Sequence, residues 1–354
     1  MLLPALLLSI VHVQPGGAGV PYRQPQLAAA HGVVAMTFGG GSSIYFTSSS
    51  DQGQTFLPPT KVAETGALAL GRHRGPRVAI LNDAVVITAI VGKKTATGAH
   101  AHGLPENGDL MVWRSINRGK TWTQTGIVND AAGAAREGLH ALAAGPNGSL
   151  FAAWLDLRAA GTQLYGSSSR DGGLTWSKNV PIYSSPGGTI CQCCHPALSI
   201  DETGRVWVMW RNVLDGSRDL HVTNSADGVH FETARRLGVG TWKINACPMD
   251  GGGFAVEKGL VTSAWRREED VFLTDPNGAE RRVGAGKDVA LARAKRGTYV
   301  AWTKSGAIEL LRPDAAAAEQ LTPKGGFATL LTLPDGSVLA AWEIGETVET
   351  KRID

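Results

Sequence analysis

The four cysteines of the chain lie in two short segments and carry the most distinctive chemistry in the sequence. Three of them fall within residues 191–195 (Cys-Gln-Cys-Cys-His), and the fourth opens residues 247–250 (Cys-Pro-Met-Asp). Thiolate, imidazole and thioether groups are soft ligands that suit copper or zinc. We therefore expect a copper or zinc site, and its expected ligands are Cys191, Cys193, Cys194, His195, Cys247 and His140.

Disulfide bonding is the alternative for the same cysteines. One bridge between residues 191–194 and Cys247 would close a loop of about 55 residues, which is worth roughly 4 kcal/mol in the chain-entropy model. A second bridge a residue or two away would close almost no additional loop. Disulfides therefore account for two cysteines better than for four, and both interpretations stay open.

The elements that position these residues follow from a repeat along the whole chain. Short apolar strands, often ending in Trp, recur after a Gly- or Asp-containing turn, which is typical of stacked four-stranded units. They are residues 33–38, 85–90, 150–154, 206–210, 260–265, 298–302 and 338–342. This periodicity predicts an all-β β-propeller of four-stranded blades, seven by direct count and six as the alternative. The N-terminal strand is expected to complete the last sheet and leave no open edge.

A second motif follows the third strand of several units. It combines Ser, Asp or Asn, Gly, Thr and an aromatic residue, in residues 49–56, 115–122 and 169–176, with a shorter copy at 225–231. The Asp is suited to bond its own turn, the Gly to take a positive φ, and the aromatic ring to pack between sheets. The motif resembles the Asp-box (BNR) repeat of the sialidase superfamily. This resemblance covers essentially the whole chain after residue 19 and implies a sialidase-like propeller.

Strand direction separates the two ends of such a propeller. Loops that lead into the innermost strands share one end with loops that join strands two and three, while the Asp-box loops lie at the other end. The cysteine segments and His140 lead into innermost strands. His100 and His102, in a Gly-rich insertion after a second strand, are further candidates for the same end. We therefore expect the functional site at this end of the central channel.

The sialidase resemblance also implies substrate-binding arginines. Tyr22–Leu27 resembles the Arg-Ile-Pro segment that opens sialidase domains, so Arg23 is expected to bind a substrate carboxylate. Arg74 and Arg211 are looser counterparts of the other two arginines of the sialidase triad. A general-acid Asp and a tyrosine nucleophile are implied as well. Residues 39–43 hold no carboxylate and Tyr299 lies inside an apolar strand, so the catalytic residues remain unassigned.

The N-terminus and the overall charge concern location and partners. Residues 2–13 are apolar but too short to span a bilayer, and residues 1–19 resemble a secretory signal peptide. We expect an exported protein, periplasmic or extracellular, without membrane insertion of the mature chain. With 34 Lys+Arg against 31 Asp+Glu, the net charge of +3 gives no reason to expect nucleic-acid binding.

Together these features predict one domain, residues 20–354, with a soft-metal site at the channel mouth. Copper is the expected metal, and an oxidoreductase acting on a small anionic or sugar-like ligand is the function first expected. A glycoside hydrolase with non-standard catalytic residues is the first alternative. A non-catalytic propeller that binds a carbohydrate or a partner is the second.

Overall fold

The repeated apolar strands form seven antiparallel sheets. The structure is a computed structural model that describes residues 9–13, 19–94 and 104–354. Within these ranges every regular element is a β-strand, apart from one 3-10 turn at Pro146–Gly148. No described helix is long and apolar enough to cross a bilayer.

The first strand, β1 (Val11–Val13), belongs to the last blade, and the other blades follow in chain order. Blade 1 holds β2 (Tyr22–Ala30), β3 (Val33–Gly40), β4 (Ser43–Ser49) and β5 (Thr60–Glu64). In blade 2 the innermost position is split between β6 (Ala67–Leu68) and β7 (Arg77–Ile80), followed by β8 (Val85–Lys93), β9 (Glu106–Ser115) and β10 (Thr123–Ile127). Blade 3 holds β11 (His140–Ala144), β12 (Leu150–Asp156), β13 (Gln163–Ser169) and β14 (Val180–Tyr183).

The second half of the ring repeats this order. Blade 4 holds β15 (Ala197–Ile200), β16 (Val206–Arg211), β17 (Leu220–Ser225) and β18 (Arg235–Arg236). Blade 5 holds β19 (Gly253–Glu257), β20 (Leu260–Arg267), β21 (Asp270–Thr274) and β22 (Glu280–Ala285). Blade 6 holds β23 (Lys287–Ala294), β24 (Gly297–Lys304), β25 (Ala307–Leu311) and β26 (Glu319–Thr322). Blade 7 holds β27 (Gly326–Thr332), β28 (Val338–Ile344), β29 (Thr347–Ile353) and β1.

The ring closes on itself, and the count is seven blades rather than six. The innermost strands contact their neighbours in order around the axis, and β27 of blade 7 contacts β2 of blade 1. The N-terminal strand pairs with the C-terminal one, with Val13 opposite Val348. The expected closure is therefore confirmed. The strand that closes the ring lies inside the segment expected to be a leader, because residues 11–13 supply the outer strand of blade 7.

The core lies between the blades. Each predicted apolar segment is the second strand of its blade, and each second strand is covered on both faces by neighbouring blades. Trp154, Trp210, Trp302 and Trp342, at or near the ends of such strands, are among the largest fully buried side chains. Burying an aromatic side chain of this size removes a large apolar area from water, so these residues stabilise the packing between blades.

The loops with the Ser-Asp-Gly-Thr motif join strands three and four at the end opposite the cysteines. In the loop after β13, Asp171 Oδ1 accepts the Thr175 N–H at 2.9 Å, and Ser169 Oγ accepts the Gly173 N–H at 2.8 Å. Gly173 takes a φ of +85°, where a side chain would be strained. In the loop after β9, the Trp122 ring packs edge-on against Phe46 of the preceding blade. These loops therefore hold turns closed and join neighbouring blades.

Candidate functional site

Three innermost strands begin with the same irregularity at the channel mouth. The strands β2, β23 and β27 each pair with the next strand of their blade, and each pairing shifts register near the first residues of the innermost strand. One residue of each bulge takes a left-handed conformation: Gln24 at φ 58°, Asp288 at 57° and Phe327 at 52°. Such backbone strain in non-glycine residues costs of order 1 kcal/mol or more and clusters at functional sites. The bulges bring Asp288 and Phe327 to a common neighbour, His73.

The side chain of His73, in blade 2, contacts side chains from three other blades. It lies in the loop between β6 and β7 of blade 2, and its Nε2–H donates to Asp288 Oδ1 of blade 6 at 3.1 Å. Its ring stacks on His195, which precedes β15 of blade 4, with centroids 4.3 Å apart, and meets the Phe327 ring of blade 7 edge-on. Because the carboxylate holds Nε2–H, the Nδ1 lone pair is left to accept a proton. Within the described chain, His73 Nδ1 has no hydrogen-bond partner.

His195 is held as a neutral imidazole. The Gly251 N–H donates to its Nδ1 at 3.3 Å, and its Nε2–H donates to the Gly252 carbonyl at 3.2 Å. Burial, and then electrostatic interactions with His73 and Arg77, hold the pKa of His195 well below its usual range. Both ring nitrogens are therefore engaged by the backbone of blade 5. In this arrangement His195 lies in the wall of the channel and does not join the cysteines.

Arg77 is a buried cation at the start of β7. Its guanidinium donates to the carbonyls of His73, Gly75 and Pro76, at 2.7 to 3.1 Å. Burial lowers the pKa of Arg77 to about 10, so the group stays charged at neutral pH. Among the described residues no carboxylate lies within ion-pair distance of it. A buried charge without a counter-ion is costly, which makes Arg77 a candidate to pair with an anionic ligand.

These side chains line a cavity of about 220 Å³ in the central channel. Gln26, His73, Arg77 and His195 supply its polar groups, and the first residues of the innermost strands supply the rest. Ligand sites of proteins are concave and combine a mainly apolar wall with a few placed polar groups. The sequence placed the site at this end, but it did not single out His73 or Arg77. The signal that could have found them is the run of basic residues at 72–77 that leads into β7.

A second cluster lies beside the channel, between blades 4 and 5. The sulfur atoms of Cys191, Cys193 and Cys194 are 3.5 to 3.9 Å apart and are buried. The Cys191 N–H donates to the Arg211 carbonyl at 3.0 Å, which fixes the segment against the end of β16. The Arg218 guanidinium donates to Cys191 Sγ at 3.2 Å. The expectation that these three cysteines converge is met by the structure.

The charge distribution in the cysteine cluster is uneven. Hydrogen bonds with Cys193 and Cys194, and then the Arg218 guanidinium beside Cys191, hold the pKa of Cys191 well below its usual range. The interaction with Cys191 raises the pKa of Cys193, and burial raises that of Cys194 to about 12. Cys191 is therefore the cysteine of the cluster that loses its proton most readily.

The other expected metal ligands do not join this cluster. Cys247 is exposed, and His140 is fully buried with its Nε2 bonded to the hydroxyl and carbonyl of Thr88. Within the described residues, the group of close ligand atoms contains only Cys191, Cys193 and Cys194. The six-ligand set expected from the sequence is thus reduced to three cysteines, because the imidazoles are held by backbone and hydroxyl groups. His100 and His102 lie outside the described residues.

The three expected substrate-binding arginines have different surroundings. Arg211 is buried and donates to the carbonyls of Asp250, Arg218 and Arg266, so it ties loops of blades 4 and 5 together. Arg74 is also buried and donates to the Glu137 carbonyl at 2.7 Å. Arg23 is about one-third exposed and contacts Glu343 of blade 7 at 3.5 Å. Of the three, Arg23 is the one with an exposed side chain at the rim.

The solved structures of similar fold include carbohydrate-active proteins. No family model and no curated protein matches the chain in sequence. The chain is similar to a complex of the GH93 α-L-arabinofuranosidase of Fusarium graminearum with arabinobiose, at 14% identity, a TM-score of 0.57 and coverage of 98% and 97% of the two chains. It is also similar to the polysaccharide lyase Uly1, at 11% identity, a TM-score of 0.58 and coverage of 96% and 91%.

A third similar structure is a sialidase. The NanB sialidase of Streptococcus pneumoniae matches at 12% identity with a TM-score of 0.52, over 96% of this chain and 70% of the sialidase. At these identities the likeness concerns the fold. Seven four-stranded blades around a central channel and this set of neighbours lead to one conclusion: the chain is a seven-bladed β-propeller whose fold is similar to that of the arabinofuranosidase and the sialidase.

Proposed function

We propose that the protein binds an acidic carbohydrate in the channel cavity and transfers a proton to or from it through His73. The observation that carries this proposal is Arg77, a buried cation that lines the cavity and has no carboxylate partner within the described chain. An anionic group of the ligand would supply the missing counter-charge. A guanidinium is suited to this role because its planar fork matches a carboxylate.

The cavity volume and the structural neighbours support a sugar as the ligand. A volume of about 220 Å³ lies below the ~300–1,000 Å³ of drug-sized ligand pockets, which favours a single sugar ring. Two of the similar structures are, by their descriptions, a furanosidase holding arabinobiose and a polysaccharide lyase. Arg23 at the rim is placed to contact a second acidic group of a longer chain.

The proton-transfer group is His73, oriented by Asp288. A histidine whose Nε2–H donates to a carboxylate presents its other nitrogen as a base, in the arrangement used by many general bases. Two carboxylates contact the lining of the cavity within the described chain, and the protein already engages both: Asp288 through His73 and Asp250 through the Gly252 N–H. Hydrolysis by the usual glycosidase route needs two carboxylates across the bond that is cleaved. The arrangement therefore favours elimination over hydrolysis.

In such an elimination each group has one role. His73 Nδ1 takes the proton from the carbon next to the sugar carboxylate while Arg77 stabilises the charge that develops on that carboxylate. The electron pair of the broken C–H bond forms a carbon–carbon double bond, and the C–O bond to the neighbouring sugar breaks. The departing oxygen takes up a proton from solvent.

The experiment compares acidic and neutral sugars on the purified full chain. Calorimetry should show binding of a glucuronate-containing oligosaccharide and not of arabinobiose, and the acidic sugar should yield an ultraviolet-absorbing unsaturated uronate. The His73→Gln variant should lose the product and keep binding, with His31→Gln at the opposite end of the propeller as the matched control. Equal binding of both sugars would contradict the proposal, and so would product formation by His73→Gln at the unmodified rate.

A further inference from the structure

We propose that Cys191, Cys193 and Cys194 bind one Cu(I) ion through their three sulfur atoms, without a histidine ligand. The three separations are 3.6, 3.5 and 3.9 Å. In a triangle with these sides the point equidistant from the sulfurs lies about 2.1 Å from each, close to the ~2.3 Å of a metal–thiolate bond. A single ion near the plane of the sulfurs therefore needs only a slight outward movement of the side chains.

The surroundings of the cluster suit an anionic metal–thiolate unit. Three thiolates and one Cu(I) carry a net charge of −2, which must be balanced where the sulfurs are buried. Arg218 donates directly to Cys191 Sγ at 3.2 Å. Arg74 and Arg211 are buried close enough to interact electrostatically with the cysteines. This explains why two buried arginines of the channel mouth, which the sequence placed with the substrate, lie beside the thiols.

The ligand count favours Cu(I) over zinc. Structural zinc is almost always four-coordinate, whereas soft thiolate ligands select Cu(I). Among the described histidines, cysteines and carboxylates, no fourth ligand lies near the three sulfurs, and the thioether of Met249, which packs against the cluster, is a soft group that suits copper rather than zinc. The two histidines expected as ligands are held elsewhere, His195 by Gly251 and Gly252 and His140 by Thr88. Cys247 is exposed at the surface and is not part of the group of close sulfur atoms.

The decisive measurement uses the unmodified chain. Reduced protein is loaded with Cu(I) without oxygen, copper is counted against a coloured Cu(I) chelator, and X-ray absorption identifies the neighbouring atoms. We expect one Cu(I) per chain with three sulfur neighbours and no nitrogen neighbour. A disulfide among residues 191–194 after preparation without oxygen would overturn the proposal, and so would a nitrogen neighbour on the copper. Stoichiometric zinc that persists in competition with Cu(I) would also overturn it.

Two variants locate the ion. Cys193→Ser should lose stoichiometric Cu(I), and Cys247→Ser, the matched control, should keep it with the same spectrum. Arg218→Met should weaken Cu(I) binding by about 10- to 100-fold, the range found when a group that orients a metal ligand is removed. Equal loss in the two cysteine variants would contradict the three-sulfur site. The absorption experiment decides the question even where Cys193→Ser does not fold.

Discussion

His73 and His195 stack face to face at the channel mouth, with ring centroids 4.3 Å apart and planes inclined by 29°. Two imidazoles in such contact repel each other if both carry a proton charge. The hydrogen bonds of His195 with Gly251 and Gly252 hold its ring neutral. The carboxylate of Asp288, in contrast, accepts a hydrogen bond from His73. The pair therefore combines one fixed neutral ring with one ring that is available for proton transfer.

Replacing Asp288 with Asn should slow the reaction without abolishing binding. The amide can no longer stabilise a protonated His73, so we expect kcat to fall by ~10²- to 10⁴-fold, the contribution typical of general acid–base catalysis. Asn tolerates the left-handed backbone at this position, so the bulge should survive. Steady-state kinetics on the acidic sugar test this. A fall in affinity with an unchanged kcat would assign Asp288 to binding instead.

Replacing Arg77 with Lys should weaken binding of the acidic sugar. Lysine keeps the charge but loses the bidentate fork, and a charge-assisted hydrogen bond is worth ~1.5–3 kcal/mol, or roughly 10- to 100-fold in Kd. Arg158→Lys is the matched control, because Arg158 lies at the same end but is paired with Asp156 and Asp130. Calorimetry measures both variants. Equal losses of affinity in the two variants would mean that replacing any arginine at this end of the channel has the same effect, and that Arg77 has no specific role.

Arg23→Ala tests the rim arginine separately. Its side chain is partly exposed and contacts Glu343, so the variant should keep its fold. We expect weaker binding for an acidic oligosaccharide of several residues and no change for a single acidic sugar, which would reach only Arg77. Calorimetry with ligands of both lengths makes the comparison. A larger loss for the single sugar would place Arg23, as the sialidase resemblance implied, at the primary carboxylate.

The Asp171 loop should contribute to acid sensitivity. Partial burial raises the pKa of Asp171, but hydrogen bonds from Thr175, Ser169 and Leu174 outweigh it and hold that pKa below its usual value. A carboxyl group with a lowered folded-state pKa stabilises the fold above its unfolded pKa, near 3.9, and this stabilisation is lost as the pH falls through the folded value. Asp171→Ala should therefore cost on the order of 1 kcal/mol at pH 7. The difference from the unmodified chain should shrink below about pH 4, as followed by denaturant unfolding.

The outer strand of blade 7 can be removed to test its contribution to stability. A chain that begins at residue 20, as after cleavage of the expected leader, lacks β1 and its pairing with β29. We expect a lower Tm and more aggregation than for a chain that begins at residue 9, because an exposed sheet edge pairs with other chains. N-terminal sequencing of protein from the periplasm or medium would show which chain a cell produces. Equal Tm values would mean that β1 contributes nothing measurable.

The fold could be predicted from the sequence because its signals are local and repeated. Each second strand, such as Leu150–Asp156, is an apolar run bounded by turn residues, and seven runs give the number of blades. Closure of the last sheet by an N-terminal strand was expected as well, but the strand that closes it, β1, lies within the residues expected to be a leader. Topology then placed the cysteine segments and the Ser-Asp-Gly-Thr loops at opposite ends.

The site could be predicted only in part, because side-chain direction depends on contacts between blades. Cys191, Cys193 and Cys194 converge because they are adjacent in sequence. His195, the next residue, faces the channel because the backbone of Gly251 and Gly252 in the following blade engages its ring. No sequence pattern distinguishes Arg74 from Arg77, which lie in one basic run.

The joining of the two chain ends in blade 7 has a consequence for synthesis. β1 is synthesised long before β29, so β1 has no partner strand while the residues between them are made. The contacts of His73 with Asp288 and Phe327 likewise form late, because both partners are synthesised long after His73. Sheets within single blades can form early, but the ring closes only after β29 has been made, and the site at its mouth forms only after Phe327 has been made. Ligand binding therefore reports that the whole ring has closed.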